Sequence, residues 1–120
     1  MIKLENVWKI YADGTEAVKD VTLEINEGEF CIFLGPSGCG KTTSMKMINR
    51  LIPLTRGNIY VNGVDTIRLN PNELRRGIGY AIQNIGLFPH LTVSQNIATV
   101  PVLKKWPQAK QRERARELLG

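Results

Sequence analysis

Residues 35–42 read GPSGCGKT, and no other stretch restricts the fold of this chain as sharply. The run fits the spacing G-x-x-x-x-G-K-[ST], with Gly35 and Gly40 as its fixed glycines. A glycine-rich turn lets several backbone N–H groups point at one anion without Cβ atoms in the way. A helix that begins directly after the turn adds unpaired donors and partial positive charge. In such a loop Lys41 reaches the β- and γ-phosphates of a nucleotide, and the Thr42 hydroxyl ligates Mg²⁺. The context fits. CIFL before the loop is an apolar run suited to a buried strand, and TTSMKMINRL after it has a helical pattern. Strand, loop and helix in that order is the setting the motif requires. The expected fold class is therefore α/β, built around a phosphate-binding loop.

At 120 residues the chain is one domain at most and long enough to bury a core. Its 42% hydrophobic and 22% charged residues are ordinary for a globular protein. No apolar run is long enough to span a bilayer, and MIKLENVWKIY does not read as a signal peptide. Cys31 and Cys39 have no metal-ligand spacing and do not suggest a disulfide framework, which fits a reducing, cytoplasmic setting. The net charge is +5, and Lys104, Lys105, Lys110, Arg112, Arg114 and Arg116 crowd the C-terminal end. Glu113 and Glu117 are interspersed among them at helical spacing, as on a solvated helix face. No aromatic residues interleave with these cations in the way a single-strand binder needs, so nucleic acid is not an expected partner.

Along the chain, IKLENVWKIY and AVKDVTLEI read as strands, the second with Val21, Leu23 and Ile25 at period two. Asp13-Gly14 and Asn26-Glu27-Gly28 mark turns, and EFCIFL is expected as a third strand. Met45, Ile48 and Ile52 predict one apolar face on the helix after the loop, ending at Pro53. GNIYVNG and GIGYAIQ read as further strands, and NIGLFPHLT as a loop. Asn70 is the expected N-cap of a short helix over 71–76, and Thr92 that of a helix over VSQNIATVPVL. Pro107 opens a last helix, whose apolar side is limited to Ala115, Leu118 and Leu119.

Together these pieces resemble the first half of the ATPase subunit of an ATP-binding cassette (ABC) importer, over the whole chain. The phosphate loop follows a strand-rich N-terminal segment. Tyr11 lies upstream of it, where this family stacks a ring on adenine. GNIYVNGVDT resembles the strand and turn after the first helix. Gln83, followed by LFPHLTVSQNI, resembles the family's glutamine loop and the entry to its helical subdomain. The run RRGIGYAIQNIGLFPHLTVSQNI with VPVLKKWP resembles the subgroup that powers uptake of glycine betaine, carnitine and choline. An importer ATPase for amino acids or other polar solutes, and a soluble ABC-type ATPase, stay open as alternatives. A GTPase is disfavoured, because no N-K-x-D-like segment is present.

The resemblance implies a P-loop ABC ATPase fold: an N-terminal antiparallel β subdomain with the phosphate-loop core over 1–84, and the glutamine loop with the start of the helical subdomain over 85–120. On this reading the chain is a truncated nucleotide-binding domain on the cytoplasmic face of the membrane. Implied contacts to ATP are Tyr11, Gly35, Pro36, Ser37, Gly38, Cys39, Gly40, Lys41, Thr42 and Thr43. Lys41 and Gln83 are the implied catalytic residues, and Thr42 and Gln83 the implied Mg²⁺ ligands. Cys39 is read as a passive small residue that thiol reagents could reach. Implied partners are a second ATPase subunit, head to tail, and permease subunits docking near Leu87, Phe88, Pro89 and His90, with a substrate-binding protein reached indirectly. His90 is not expected to be a general base. The family also uses an apolar strand ending in Asp, a following catalytic Glu, and an LSGGQ-like signature. None occurs among these residues. The chain is therefore expected to bind ATP without hydrolysing it efficiently.

Overall fold

The computed structural model describes residues 1–36 and 38–120. These residues fall into two compact units, Met1–Ile78 and Gly79–Gly120.

The first unit is built on an antiparallel sheet. Strands β1 (Ile2–Ile10), β2 (Glu16–Ile25), β3 (Arg56–Val61) and β4 (Val64–Asp65) lie in the order β2-β1-β3-β4. The short turn around Asp13-Gly14 brings β2 back along β1, pairing Leu4 with Leu23 and Val7 with Val21. On its other edge β1 pairs with β3, so that Leu4 faces Ile59. Asn62-Gly63, both with positive φ, turn β3 into β4.

The β1–β2 ladder is interrupted by a bulge. Asn6 (φ 47°) and Asp20 (φ 44°) both adopt left-handed backbone, which Asn and Asp tolerate best after glycine. The Asn6 side-chain amide donates to Asp20 Oδ1 at 2.9 Å, and the Asn6 N–H donates to Thr22 Oγ1 at 3.0 Å. Polar groups freed from the ladder are thus re-bonded across it.

Helix α1 (Lys41–Ile48) packs on this sheet. Leu4, Val7, Val18 and Ile59 from the sheet, with Met47 and Ile48 from α1, form the buried core. Each such side chain stabilises the fold by roughly 1.5–3 kcal/mol relative to exposure. The inward face of α1 is not quite the one its periodicity predicts. Met47 is buried and Met45 is exposed, and the helix ends at Ile48, before Ile52 and Pro53. Arg50, at φ 55°, turns the chain there, and its guanidinium donates to the carbonyls of Thr66 and Leu69 at 3.1 and 2.8 Å. Helix α2 (Pro71–Arg76) starts as predicted, with Asn70 Oδ1 accepting from Asn72 N at 2.9 Å.

Two expected strands do not form. EFCIFL is irregular, with Phe30 and Leu34 at 89% and 88% exposure. IGYAIQ is irregular as well, and Tyr80 and Ile82 are exposed. An apolar run becomes a strand only where a ladder partner meets its N–H and C=O groups. No described strand pairs with either segment.

The second unit contains α3 (Val93–Ile97), α4 (Thr99–Leu103) and α5 (Gln108–Leu119). Thr92 caps α3 in a reciprocal box with Gln95. The single helix expected over 93–103 is two, separated at Ala98. Pro101 explains the break: it cannot donate to the carbonyl four residues back, but fits the first turn of a new helix. Pro107 precedes α5 as expected. Ala115 is buried, whereas Leu118 and Leu119 remain exposed. Among the described residues, no helix is long and apolar enough to cross a membrane.

Candidate functional site

The glycine loop runs directly into α1. Gly40, at φ 93°, is the residue before its first turn, and no side chain among the described residues caps the helix. Among the described residues, the acceptor contact at this end is the Gly40 carbonyl, which takes the Ser44 N–H at 2.9 Å and the Ser44 hydroxyl at 2.8 Å. The amides of Lys41, Thr42 and Thr43 have no acceptor among the described residues. Unpaired donors at an uncapped helix start form an anion site.

Close packing holds the loop in shape. A Cβ on Gly40 would collide with the Ala17 carbonyl oxygen and lie 3.2 Å from Val18 Cγ2, so β2 presses against the loop at this point. A Cβ on Gly35 would meet Cys39 Sγ at 2.6 Å. Within the loop, Cys39 N donates to the Pro36 carbonyl at 3.3 Å. Lys41 folds back across the loop, and its ammonium donates to the Gly35 carbonyl. That contact places a cation over the loop mouth, held by a neutral acceptor that a phosphate oxygen would outcompete. Thr42 is exposed, and its hydroxyl has no hydrogen bond among the described residues; Thr43 is half-buried. Gly38 and Cys39 are exposed, and Ser37 lies outside the described residues.

Beside the loop a cavity of about 360 Å³ opens between it and β2, lined by Ala17, Val18, Lys19, Gly38, Cys39 and Ser44. Lys19 is held there by Glu16 at 2.6 Å, which leaves Lys41, among the described residues, as the cation of the loop without a carboxylate partner.

Tyr11 stands at the end of β1, at the head of the turn into β2. Its N–H donates to the Thr15 carbonyl at 2.9 Å, and its carbonyl accepts the Gly14 N–H at 2.9 Å. Tyr11 is 41% exposed, with Lys9 Nζ 5.1 Å from its ring centroid. One face is thus covered by a cation, and much of the ring is open to stack on a flat ligand. Asp13 Oδ1 accepts the Thr15 N–H at 2.9 Å, and this bond holds the Asp13 carboxyl below its usual range. The strand leaving this turn carries Ala17 and Val18 to the glycine loop, so the turn and the loop share one rigid support.

In the second unit, Gln83 lies in the exposed irregular segment before α3, and its side chain makes no hydrogen bond among the described residues. Leu87, Phe88, Pro89 and His90 are all exposed. The Phe88 and His90 rings meet edge to face with centroids 5.9 Å apart. His90 has no carboxylate or hydroxyl partner among the described residues.

Three contributors escape a motif reading: Ala17, which meets Gly40 through a backbone atom; Ser44, which ties α1 to Gly40; and Asn96, which organises the loop around Phe88. Only Ser44 left a trace in the sequence, as a hydroxyl one turn into the helix after the loop. Cys31 and Cys39 are both free and exposed.

The sequence profile of the family described as "ABC transporter" matches residues 18–120. Among curated proteins, the chain is 59% identical over 119 residues to the glycine betaine/carnitine/choline transport ATP-binding protein OpuCA of Bacillus subtilis (strain 168), covering 99% of this chain and 31% of that protein. It is also 59% identical over 119 residues, with the same coverage, to the choline transport ATP-binding protein OpuBA of the same organism. The chain thus spans about a third of the length of these relatives. A solved structure of the ATP-binding cassette MJ0796, a dimer in a post-hydrolysis state bound to ADP and Pi, superposes with a TM-score of 0.81 at 37% identity. That likeness covers 98% of this chain and 55% of the other.

Proposed function

The chain belongs to the ABC transporter family, and from that premise we propose that it is the ATP-binding portion of an ATPase subunit that powers import of a quaternary-amine osmoprotectant, of the glycine betaine, carnitine or choline class. One observation carries the nucleotide part: the uncapped start of α1 opens onto a glycine loop whose lysine lies across it, held by a loop carbonyl. The solute class rests on the identity to OpuCA and OpuBA.

Each residue then has a task. Lys41 exchanges the Gly35 carbonyl for oxygens of the β- and γ-phosphates. The amides of Lys41, Thr42 and Thr43 hold the phosphate chain, with Gly35, Pro36, Gly38, Cys39 and Gly40 shaping the turn and Ser37 adding its hydroxyl. Tyr11 stacks on the adenine, and Ala17 and Val18 form the wall beside the ribose. The Thr42 hydroxyl, without a hydrogen bond among the described residues, suits a hard cation that prefers oxygen ligands, and Gln83 offers a carboxamide oxygen of the same kind. Mg²⁺, if bound by these oxygens, would supply charge neutralisation on the transferring phosphoryl group. Residues 1–84 serve as the β subdomain and phosphate-loop core, and 85–120 as the glutamine loop and the start of the helical subdomain. Leu87, Phe88, Pro89 and His90 form the surface that meets a permease helix on the cytoplasmic face of the membrane. Hydrolysis belongs to the full-length subunit, acting as a head-to-tail pair.

The test is uptake of labelled glycine betaine, carnitine and choline by cells that depend on the full-length subunit with its permease. Lys41→Ala should abolish both Mg-ATP binding and uptake. ATP binding that survives this substitution refutes the site. Lys41-dependent uptake of a different solute class refutes the solute assignment alone.

A further inference from the structure

The loop that carries Phe88 and His90 is held by one side chain. Asn96, on α3, accepts the Phe88 N–H on Oδ1 at 2.8 Å and donates from Nδ2 to the Phe88 carbonyl at 3.2 Å. Its carboxamide thus pairs with both backbone groups of Phe88, as a neighbouring strand would. The same Nδ2 reaches the Leu91 carbonyl at 3.3 Å and the Thr92 carbonyl at 2.9 Å. The orientation of the amide is fixed, because the opposite flip would set N–H against N–H and oxygen against three carbonyls. The Leu91 N–H closes the turn on the Phe88 carbonyl at 3.1 Å, and the box at Thr92 and Gln95 locks the start of α3 beneath it.

An exposed loop of this kind ordinarily lets water satisfy its backbone. Here a half-buried side chain does so, and what the clamp holds in place is Phe88, 49% exposed, edge-on to His90. We infer that Asn96 is a positioning residue, preorganising the Phe88–His90 pair for contact with the permease. Preorganisation removes the ordering cost a loose loop would meet on association. The inference rests on the docking role given above to Leu87–His90.

The experiment uses the full-length subunit and its permease in detergent, with association measured by titration and backbone mobility by hydrogen exchange. Asn96→Ala should speed exchange over residues 86–92 but not over α1, and weaken permease association roughly tenfold. Asn96→Asp keeps the acceptor for Phe88 N but turns three donations into repulsion, and should weaken association in the same direction. Phe88→Ala should weaken association while leaving the α3 cap protected. If Phe88→Ala weakens association and neither Asn96 variant does, the positioning role is overturned. If all three leave association unaffected, the docking reading fails and the inference with it. If Asn96→Ala speeds exchange across α1 as well, it is a folding variant, and Asn96→Asp alone decides.

Discussion

Gly40 lies directly against the carbonyl oxygen of Ala17, with no room between them for a Cβ. The glycine before the loop lysine thus has two functions. It takes the left-handed backbone that starts α1, and it lets β2 approach the loop closely enough to brace it.

Gly40→Ala should therefore cost more than backbone strain alone, about 3 kcal/mol of stability. Gly38→Ala offers the comparison. Gly38 has a similar φ of 83° but open space where its Cβ would lie, so about 1 kcal/mol is expected. Denaturant unfolding of both variants measures the difference. Equal losses would mean that contact with Ala17 contributes nothing.

Tyr11→Ala should weaken ATP binding by about 1–3 kcal/mol, and Tyr11→Phe should stay close to the parent, because stacking needs the ring and not the hydroxyl. Since stacking tolerates base type, GTP should compete measurably with ATP. Calorimetric titration of the three proteins with both nucleotides tests this. Identical affinities for Tyr11→Ala and the parent would remove the residue from the site.

The turn that supports Tyr11 should respond to pH only under acid conditions. The Thr15 N–H favours the ionised Asp13 carboxylate and lowers its pKa in the folded chain. A lowered carboxyl pKa stabilises the fold above the unfolded value, and that contribution fades as pH falls through the folded one. The window therefore lies below about pH 4, and nothing should change through Asp13 between about pH 5 and 8. The Thr15 amide resonance, followed against pH, should titrate in the acid window. Asp13→Asn should remove that titration and retain the turn.

Phe30, Ile32 and Leu34 stand 89%, 62% and 88% exposed in the irregular segment before the loop. A row of apolar side chains this open promotes association. The 120-residue chain should self-associate with rising concentration in sedimentation velocity, and Phe30→Ser with Leu34→Ser should reduce this without loss of ATP binding. A monodisperse parent at high concentration would contradict the expectation.

Local chemistry determined a good deal of this protein from the order of its residues alone. GPSGCGKT carries its own glycines and runs into its own helix, so the helix start and its lysine were legible before any tertiary contact was known. The caps at Asn70 and Thr92, the turn at Asp13-Gly14, and the period-two pattern of β2 are likewise settled within a few residues. Tertiary structure decided what depends on distant partners. EFCIFL and IGYAIQ have strand composition, but a strand exists only as a pair, and no described strand lies beside either. Met47 rather than Met45 faces the sheet because the orientation of α1 is set by its contact with β1, β2 and β3. The Ala17–Gly40 contact and the Asn96 clamp were invisible for the same reason. Each joins a side chain or bare Cα to a backbone atom elsewhere, and a backbone atom leaves no mark in sequence.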